Sequence, residues 1–374
     1  MAKAMRVTLT FILAVVSVDC GFLPLLRAQS LDVVPIDVSV LNPPIVFKAD
    51  GRWDMAYELR ISSPADVGDT TISSIQLLDP SGKPLVDISG DALKGCLDPG
   101  AAVGARLSPR TFATFFMWVS ASSLRELLPV LRHRVAVSVS DEHSELSIDT
   151  PAIPVDRRPV VVISPPVRGG DWVAENGPSN SSVHRRAILP LNGRSYIGQR
   201  FAIDWAQTYA DGSWYRGDLH RNQDYRSYGQ PIYAVADGTI TEVKDGIPEN
   251  TPGTSSRAVE ITFETLAGNH VIERIGEGVY ATFAHLQPGS VRVKLGARVH
   301  LGQMLGLLGN FGNSDAPHLH FQICDANSVL GCEGLPYAIS SFDIEGRWKP
   351  EGSVTTHSFE LPTEGEVVRF NPEH

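Results

Sequence analysis

The chain is short of positive charge, of cysteine and of long apolar runs, and each shortage removes a class of protein. Its 32 Lys and Arg against 42 Asp and Glu leave a formal charge of −10. That balance argues against a duplex nucleic-acid partner, because phosphate binding wants clustered cations. The apolar run from Val7 to Val18 is short for a membrane span, and no other segment approaches about 18 consecutive apolar residues, so no stable membrane span is expected. The helical zincin signature His-Glu-x-x-His is absent, which excludes a thermolysin-type site. Hydrophobic residues at 43% and charged residues at 20% sit near globular averages, which excludes wholesale disorder and fibrous repeats.

What is present begins with an export pattern. Lys3 and Arg6 precede the apolar run, and small residues near Ala28 to Ser30 offer a cleavage site, so residues 1–30 read as a signal peptide. Cys20 invites a lipoprotein reading, against which stands Asp19 just before it. Removing residues 1–30 takes away Lys3, Arg6, Arg27 and Asp19 and moves the charge from −10 to about −12. The mature chain is therefore expected in the periplasm or outside the cell. Of four cysteines, Cys96, Cys324 and Cys332 survive processing. Cys324 and Cys332 are close enough in sequence for a small-loop disulfide in an oxidising compartment, with Cys96 left over; three unpaired, packed cysteines are the equal alternative.

At 374 residues the chain exceeds one core, and a domain size of about 100 to 200 residues implies two. From Leu31 to Asp156, short alternating segments such as Met55-Ala56-Tyr57-Glu58-Leu59-Arg60-Ile61 and Arg134-Val135-Ala136-Val137-Ser138-Val139 are separated by turns such as Asp79-Pro80-Ser81-Gly82. This predicts an antiparallel, immunoglobulin-like β-sandwich over residues 31–156. Ser122 to Leu131 has the leucine spacing of a short amphipathic turn or helix. No catalytic constellation occurs in this half, so its expected role is that of a spacer, a docking surface or a substrate-presenting module. Arg157-Arg158-Pro159 through Pro165-Pro166 has the proline density of a linker, although Val160-Val161-Val162-Ile163 reads as a strand entering the next domain. The boundary falls near residue 157, and the second domain runs over 157–374 with its core at about 180–345.

The sharpest chemical feature is Ala316-Pro317-His318-Leu319-His320-Phe321-Gln322. On a strand, side chains at i and i+2 share a face, so His318 and His320 point into one site while Leu319 and Phe321 pack behind. Alone, such a pair is weak, since histidines at this spacing arise by chance. Its surroundings strengthen it. Upstream stand Tyr280-Ala281-Thr282-Phe283-Ala284-His285-Leu286, then Val291 and Val293, then Gly296-Ala297-Arg298-Val299, Gly302-Gln303-Met304-Leu305-Gly306 and Gly309-Asn310-Phe311-Gly312-Asn313-Ser314. Further upstream lies Gly229-Gln230-Pro231-Ile232-Tyr233-Ala234-Val235-Ala236-Asp237-Gly238-Thr239-Ile240.

This order of motifs, over about residues 180–345, resembles the lysostaphin/LytM-type zinc peptidoglycan endopeptidases, a duplicated hybrid motif fold. The resemblance implies an all-β chain in which the N-terminal sandwich is followed by an antiparallel β-sheet metallopeptidase domain. It also implies one Zn2+ per chain, held by a His, an Asp and the second His of His-x-His, with two further histidines assisting. Carried over, His320 becomes a metal ligand, and His285 and His318 become the catalytic pair. Three protein ligands leave the fourth zinc position open.

Two pairs compete for the remaining ligand positions. His220-Arg221-Asn222-Gln223-Asp224 has the family's compact spacing but sits in a polar, turn-rich stretch, Arg216 to Tyr228, that reads as an insertion. Arg200-Phe201-Ala202-Ile203-Asp204-Trp205 has the expected apolar strand ending in Asp. Asp204 then requires His184 as its partner, with a hairpin around Asn192-Gly193 bringing the two together. His133, His143, His270, His300, His357 and His374 lack ligand-like spacing. Asn310 and Asn313 read as residues of positive-φ turns. The resemblance implies hydrolysis of peptide bonds in peptidoglycan cross-links; the competing reading is a non-catalytic module that binds cell wall or activates another hydrolase.

Overall fold

The structure is a computed structural model that describes residues 34, 36–63, 68–98, 105–139 and 145–371. The leader assigned to residues 1–30, Cys20, His143 and His374 lie outside the described residues. In the first half, period-two alternation produces two antiparallel sheets. One contains Asp37–Val40, Ile45–Ala49, Arg52–Ser62 and Phe112–Ala121; the other is built on Thr70–Leu78, Pro84–Ser89 and Val130–Val139, with short strands at its edges. Met55, Tyr57, Leu59 and Ile61 from the first sheet meet Ile72, Ile75, Val135 and Val137 from the second in one buried cluster. The opposite face of the first sheet is also buried. Phe47 and Ala56 join the core of the second half, and the Phe47 ring packs 5.1 Å from Phe201 and 5.3 Å from Trp118.

Ser122 to Leu131 forms turns rather than a helix, and the strand Val130–Val139 takes its last two residues. Among the described residues the α-helix lies elsewhere, at Gly90–Cys96, where Leu93 is buried against the sandwich. Seven residues are too few to give a clear helical period.

The second half is organised by a ten-stranded sheet. Its four central strands, in spatial order, are Val279–Ala284, Leu319–Cys324, Ile203–Gln207 and Gly169–Glu175. These are buried on the side where Phe283, Phe321, Trp172 and Leu319 pack into a single apolar core. The linker segment yields a strand, Val161–Ile163, which pairs in parallel with Tyr337–Ile339. Between His184 and Asp204 the chain makes the expected hairpin, Leu189–Leu191 with Arg194–Tyr196. Asn192 and Gly193 take φ of 50° and 79°, the left-handed pair that suits a two-residue hairpin turn. Cys324 and Cys332 are disulfide-bonded and Cys96 is free.

One core carboxyl gives this fold a pH signature. Glu273, on the strand His270–Gly276, is fully buried. Burial, with a smaller push from Asp237, raises its carboxyl to about 8. Between an unfolded value of about 4.3 and that folded value the native state holds a proton that the unfolded chain releases, so its contribution to stability falls as pH rises, by at most about 1.4 kcal/mol per pH unit. Glu273→Gln is neutral throughout and is expected to flatten the decline in melting temperature between about pH 5 and about pH 8. Parallel wild-type and variant curves across that range would contradict the assignment.

Candidate metal centre

Sheet register assembles the site. Asp204 lies opposite His320 on one neighbouring strand and opposite Glu175 on the other, while His320 also lies opposite Ala284. Residues directly opposite one another project on the same face, close enough to touch. His285 follows at the end of its strand with a left-handed φ of 68°, a conformation uncommon outside glycine, asparagine, aspartate and histidine. Its N–H donates to the Ala267 carbonyl and its own carbonyl accepts from the Gly309 N–H. This turn carries the imidazole to 4.8 Å from the His318 ring and 5.9 Å from the His320 ring.

His184 arrives from a turn rather than a strand. Its Nε2 is 3.3 Å from Asp204 Oδ2, and its ring meets that of His320 edge-on at 4.8 Å. One ligand atom from each of His184, Asp204 and His320 lies within 4.8 Å of the others. His318 Nε2 stands 3.5 Å from Asp204 Oδ1, and its Nδ1–H donates to the Ala316 carbonyl at 2.8 Å. Asn176 completes the surroundings by donating Nδ2–H to Asp204 Oδ2 at 2.9 Å.

The electrostatics follow from burial. Desolvation alone would raise the Asp204 carboxyl, but the imidazoles of His184, His318 and His320 outweigh it and hold the group well below its ordinary range. Desolvation pushes His184 down to about 4, partly offset by Asp204. His285 is driven well below its usual value by burial, reinforced by His318 and His320. His320 moves the other way: burial opposes its charge, but the hydrogen bond to Asp204 prevails and raises it.

The His320 tautomer can be deduced. The Val329 carbonyl only accepts, so Gln322 Nε2 donates to it at 2.8 Å, which leaves Gln322 Oε1 to accept from His320 Nε2–H at 2.9 Å. His320 Nδ1 then faces Asp204 Oδ1 at 2.8 Å. Two lone pairs approach that closely only with a proton or a cation between them. Two imidazoles and a carboxylate, one of them oriented by an outer amide, form a donor set that suits a divalent ion such as zinc.

The cluster opens on a cleft of about 650 Å³, with Trp214, Tyr215, Tyr225, Val329 and Leu330 among its lining residues. The aromatic residues come from the stretch between Asp204 and Gly229, of which Arg216 to Tyr228 reads as an insertion. His220 and Asp224 do not reach the cluster. His220 is exposed and hydrogen-bonds through Nδ1 to the Pro252 carbonyl, and Asp224 Oδ2 accepts from the Asp218 N–H. They hold a loop together. The other described histidines stay apart from the centre: His133 is buried against the Tyr57 hydroxyl, and His270 pairs with Glu242. Asn310 and Asn313, expected at positive φ, do not take it; Asn310 is buried and donates to Asn222.

Gln322, at the end of the His318-Leu319-His320-Phe321-Gln322 run, lies on the face of His318 and His320 by the same i, i+2 alternation. Asn176 and Glu175 carried no such signal. Glu175 lines the cleft beside Asp204, and burial, against the pull of His318 and with pushes from Asp204 and Asp315, raises its carboxyl.

Comparison with known proteins agrees with the motifs. Residues 219–330, less than a third of the chain, match the model of Peptidase family M23; the match stops short of His184 and Asp204. The peptidoglycan DD-endopeptidase ShyA of Vibrio cholerae is 30% identical over 105 residues, which covers 28% of this chain and 20% of that protein. The glycyl-glycine endopeptidase ALE-1 of Staphylococcus capitis is 30% identical over 130 residues, covering 32% of this chain and 31% of that protein. This chain thus spans between a fifth and a third of the length of these relatives. Among solved structures, the catalytic domain of the prophage-encoded M23 protein EnpA from Enterococcus faecalis aligns at 20% identity with a TM-score of 0.26, over 45% of this chain and 91% of that one.

Gln322→Ala removes the acceptor that fixes His320 without removing a ligand. Affinity for zinc, measured by chelator competition, is expected to fall about 10- to 100-fold, as for other outer-shell partners of metal-bound histidines. An affinity within about twofold of wild type would mean that Gln322 does not orient His320.

Proposed function

We propose that the chain is an exported zinc metalloendopeptidase, with one Zn2+ per chain, that hydrolyses peptide bonds in peptidoglycan cross-links. The observation that carries this reading is the convergence of His184, Asp204 and His320, one ligand atom from each lying within 4.8 Å of the others, a buried donor set that a divalent ion would fit. His184, Asp204 and His320 are the ligands in this account, and His285 and His318 act on the substrate side. The named activity of ShyA favours a peptidoglycan peptide as substrate, and that of ALE-1, a glycyl-glycine endopeptidase, favours cleavage of an internal peptide bond. The Cys324–Cys332 disulfide fits an oxidising compartment outside the cytoplasm, as does the leader pattern of residues 1–30. In the same reading residues 31–156 are an immunoglobulin-like module and residues 157–374 the peptidase domain.

Bound zinc supplies Lewis-acid chemistry, lowering the pKa of a water to about 7 and polarising a carbonyl. The chain's own groups do the rest. His318, with Nδ1–H committed to the Ala316 carbonyl, presents Nε2 to accept a proton in the cleft and return it to the leaving amine. His285, kept neutral by burial, can donate an N–H to the oxygen on which charge develops during attack. Asn176 and Gln322 hold Asp204 and His320 in place.

Metal content of single variants tests the assignment. Asp204→Ala and His320→Ala are expected to purify without zinc, whereas Asp224→Ala keeps it. His285→Ala is expected to keep zinc but to lose about 100-fold or more in turnover of cross-linked muropeptides, the scale of a lost proton-transfer or oxyanion group. Loss of zinc in Asp224→Ala alone would overturn the ligand set, and equal metal loss in His285→Ala and His320→Ala would overturn the division of roles.

A further inference from the structure

His184 has no strand to hold it. It belongs to a turn, closed by the Arg186 N–H on the Ser182 carbonyl and the Ala187 N–H on the His184 carbonyl. What anchors that turn is the N-terminal sandwich. The next residue, Arg185, is fully buried, and its guanidinium reaches three groups of the first sheet: Glu58 Oε1 at 2.8 Å, the Met117 carbonyl at 2.9 Å and the Tyr57 carbonyl at 3.1 Å. Arg186 donates to the Leu97 carbonyl at 3.0 Å and to the Gly95 carbonyl. Asn180, at the start of the turn, donates to the Phe116 carbonyl at 2.8 Å.

Glu58 also reaches the other ligand segment. Its Oε2 lies 2.8 Å from an Arg200 guanidinium nitrogen, and Arg200, itself paired with Glu333, stands four residues before Asp204. Glu58, Arg185 and Arg200 have no side-chain exposure. One carboxylate of the sandwich therefore meets two arginines, hydrogen-bonded to the one adjacent to His184 and ion-paired with the one leading into the strand of Asp204. Arg185 suits this because its rigid fork of donors, spread over Glu58, Tyr57 and Met117, fixes both distance and direction.

We propose that the N-terminal sandwich is a structural half of the metal centre, in which Glu58, through Arg185 and Arg200, sets the position of His184 relative to Asp204 and so the affinity for the ion. Glu58 and Arg185 are positioning residues; neither touches the metal or the substrate. This inference rests on the reading of His184, Asp204 and His320 as ligands.

The test uses the full mature chain, stripped of metal and titrated with zinc against a chelator. Arg185→Met is expected to weaken zinc binding about 10- to 100-fold and to speed amide exchange in the peptide spanning residues 178–191. In a His184→Ala background the same substitution is expected to leave the residual zinc affinity unchanged, because residues that act through one another are non-additive. Arg134→Ala, which breaks an ion pair with Asp149 on the other sheet, is expected to lower the melting temperature without changing zinc affinity. Should Arg185→Met not fold, Arg185→Lys keeps the charge but not the fork and is expected to cost about threefold or more. Wild-type-like affinity in a folded Arg185 variant, or an equal loss in the His184→Ala background, overturns the positioning role. A wild-type chain that binds no zinc overturns the ligand reading itself, and this inference with it.

Discussion

An ionised aspartate in the middle of a buried sheet is the constraint around which the second half of this molecule is arranged. Taking a carboxylate out of water costs several kcal/mol unless it is paired and hydrogen-bonded. Asp204 is 5% exposed, and its two oxygens are met by His184, His318, His320 and Asn176. The partners come from separate parts of the chain, so the carboxylate is satisfied only when the strand register, the left-handed turn at His285 and the turn carrying His184 are all in place. A cation bound among these groups would compensate the charge and use the lone pairs that face one another.

The part of this site written in local pattern was legible. His318 and His320 follow from strand periodicity, and the motif order from Gly229 to Ser314 carried His285 with it. The first half of the site was ambiguous because the compact spacing of His220 and Asp224 imitates a ligand pair, whereas the pair that meets His320 is split by a hairpin. Spacing measures distance along the chain; the structure brings together residues 116 apart, Asp204 and His320. Gln322 was within reach of the same alternation. Asn176 was not, since nothing local distinguishes a loop asparagine that bonds to a carboxylate from one that faces water.

In Met55-Ala56-Tyr57-Glu58-Leu59-Arg60-Ile61 alternation puts Ala56, Glu58 and Arg60 on the face away from the sandwich core, and does not say what covers that face. The structure buries Ala56 and Glu58, because that face of the first sheet packs on the second half of the chain. A charged residue on a strand marks solvent only when nothing else supplies a counter-charge, and here Arg185 and Arg200 do. The leucine spacing of Ser122 to Leu131 shows the converse, a helical signal in a segment whose end is taken by the strand Val130–Val139 while the rest forms turns. The sandwich is thus more than a neighbour to the peptidase-like half: its outer face completes the second core through Phe47 and Ala56 and holds the segments on which two of the clustered side chains ride.

The most direct test of the central claim is to locate the ion. Crystals grown with zinc and measured on both sides of its absorption edge are expected to give one anomalous peak per chain, bound by His184, Asp204 and His320, with His285 and His318 nearby but unligated. A peak at His220 and Asp224, or none near Asp204, would contradict the account.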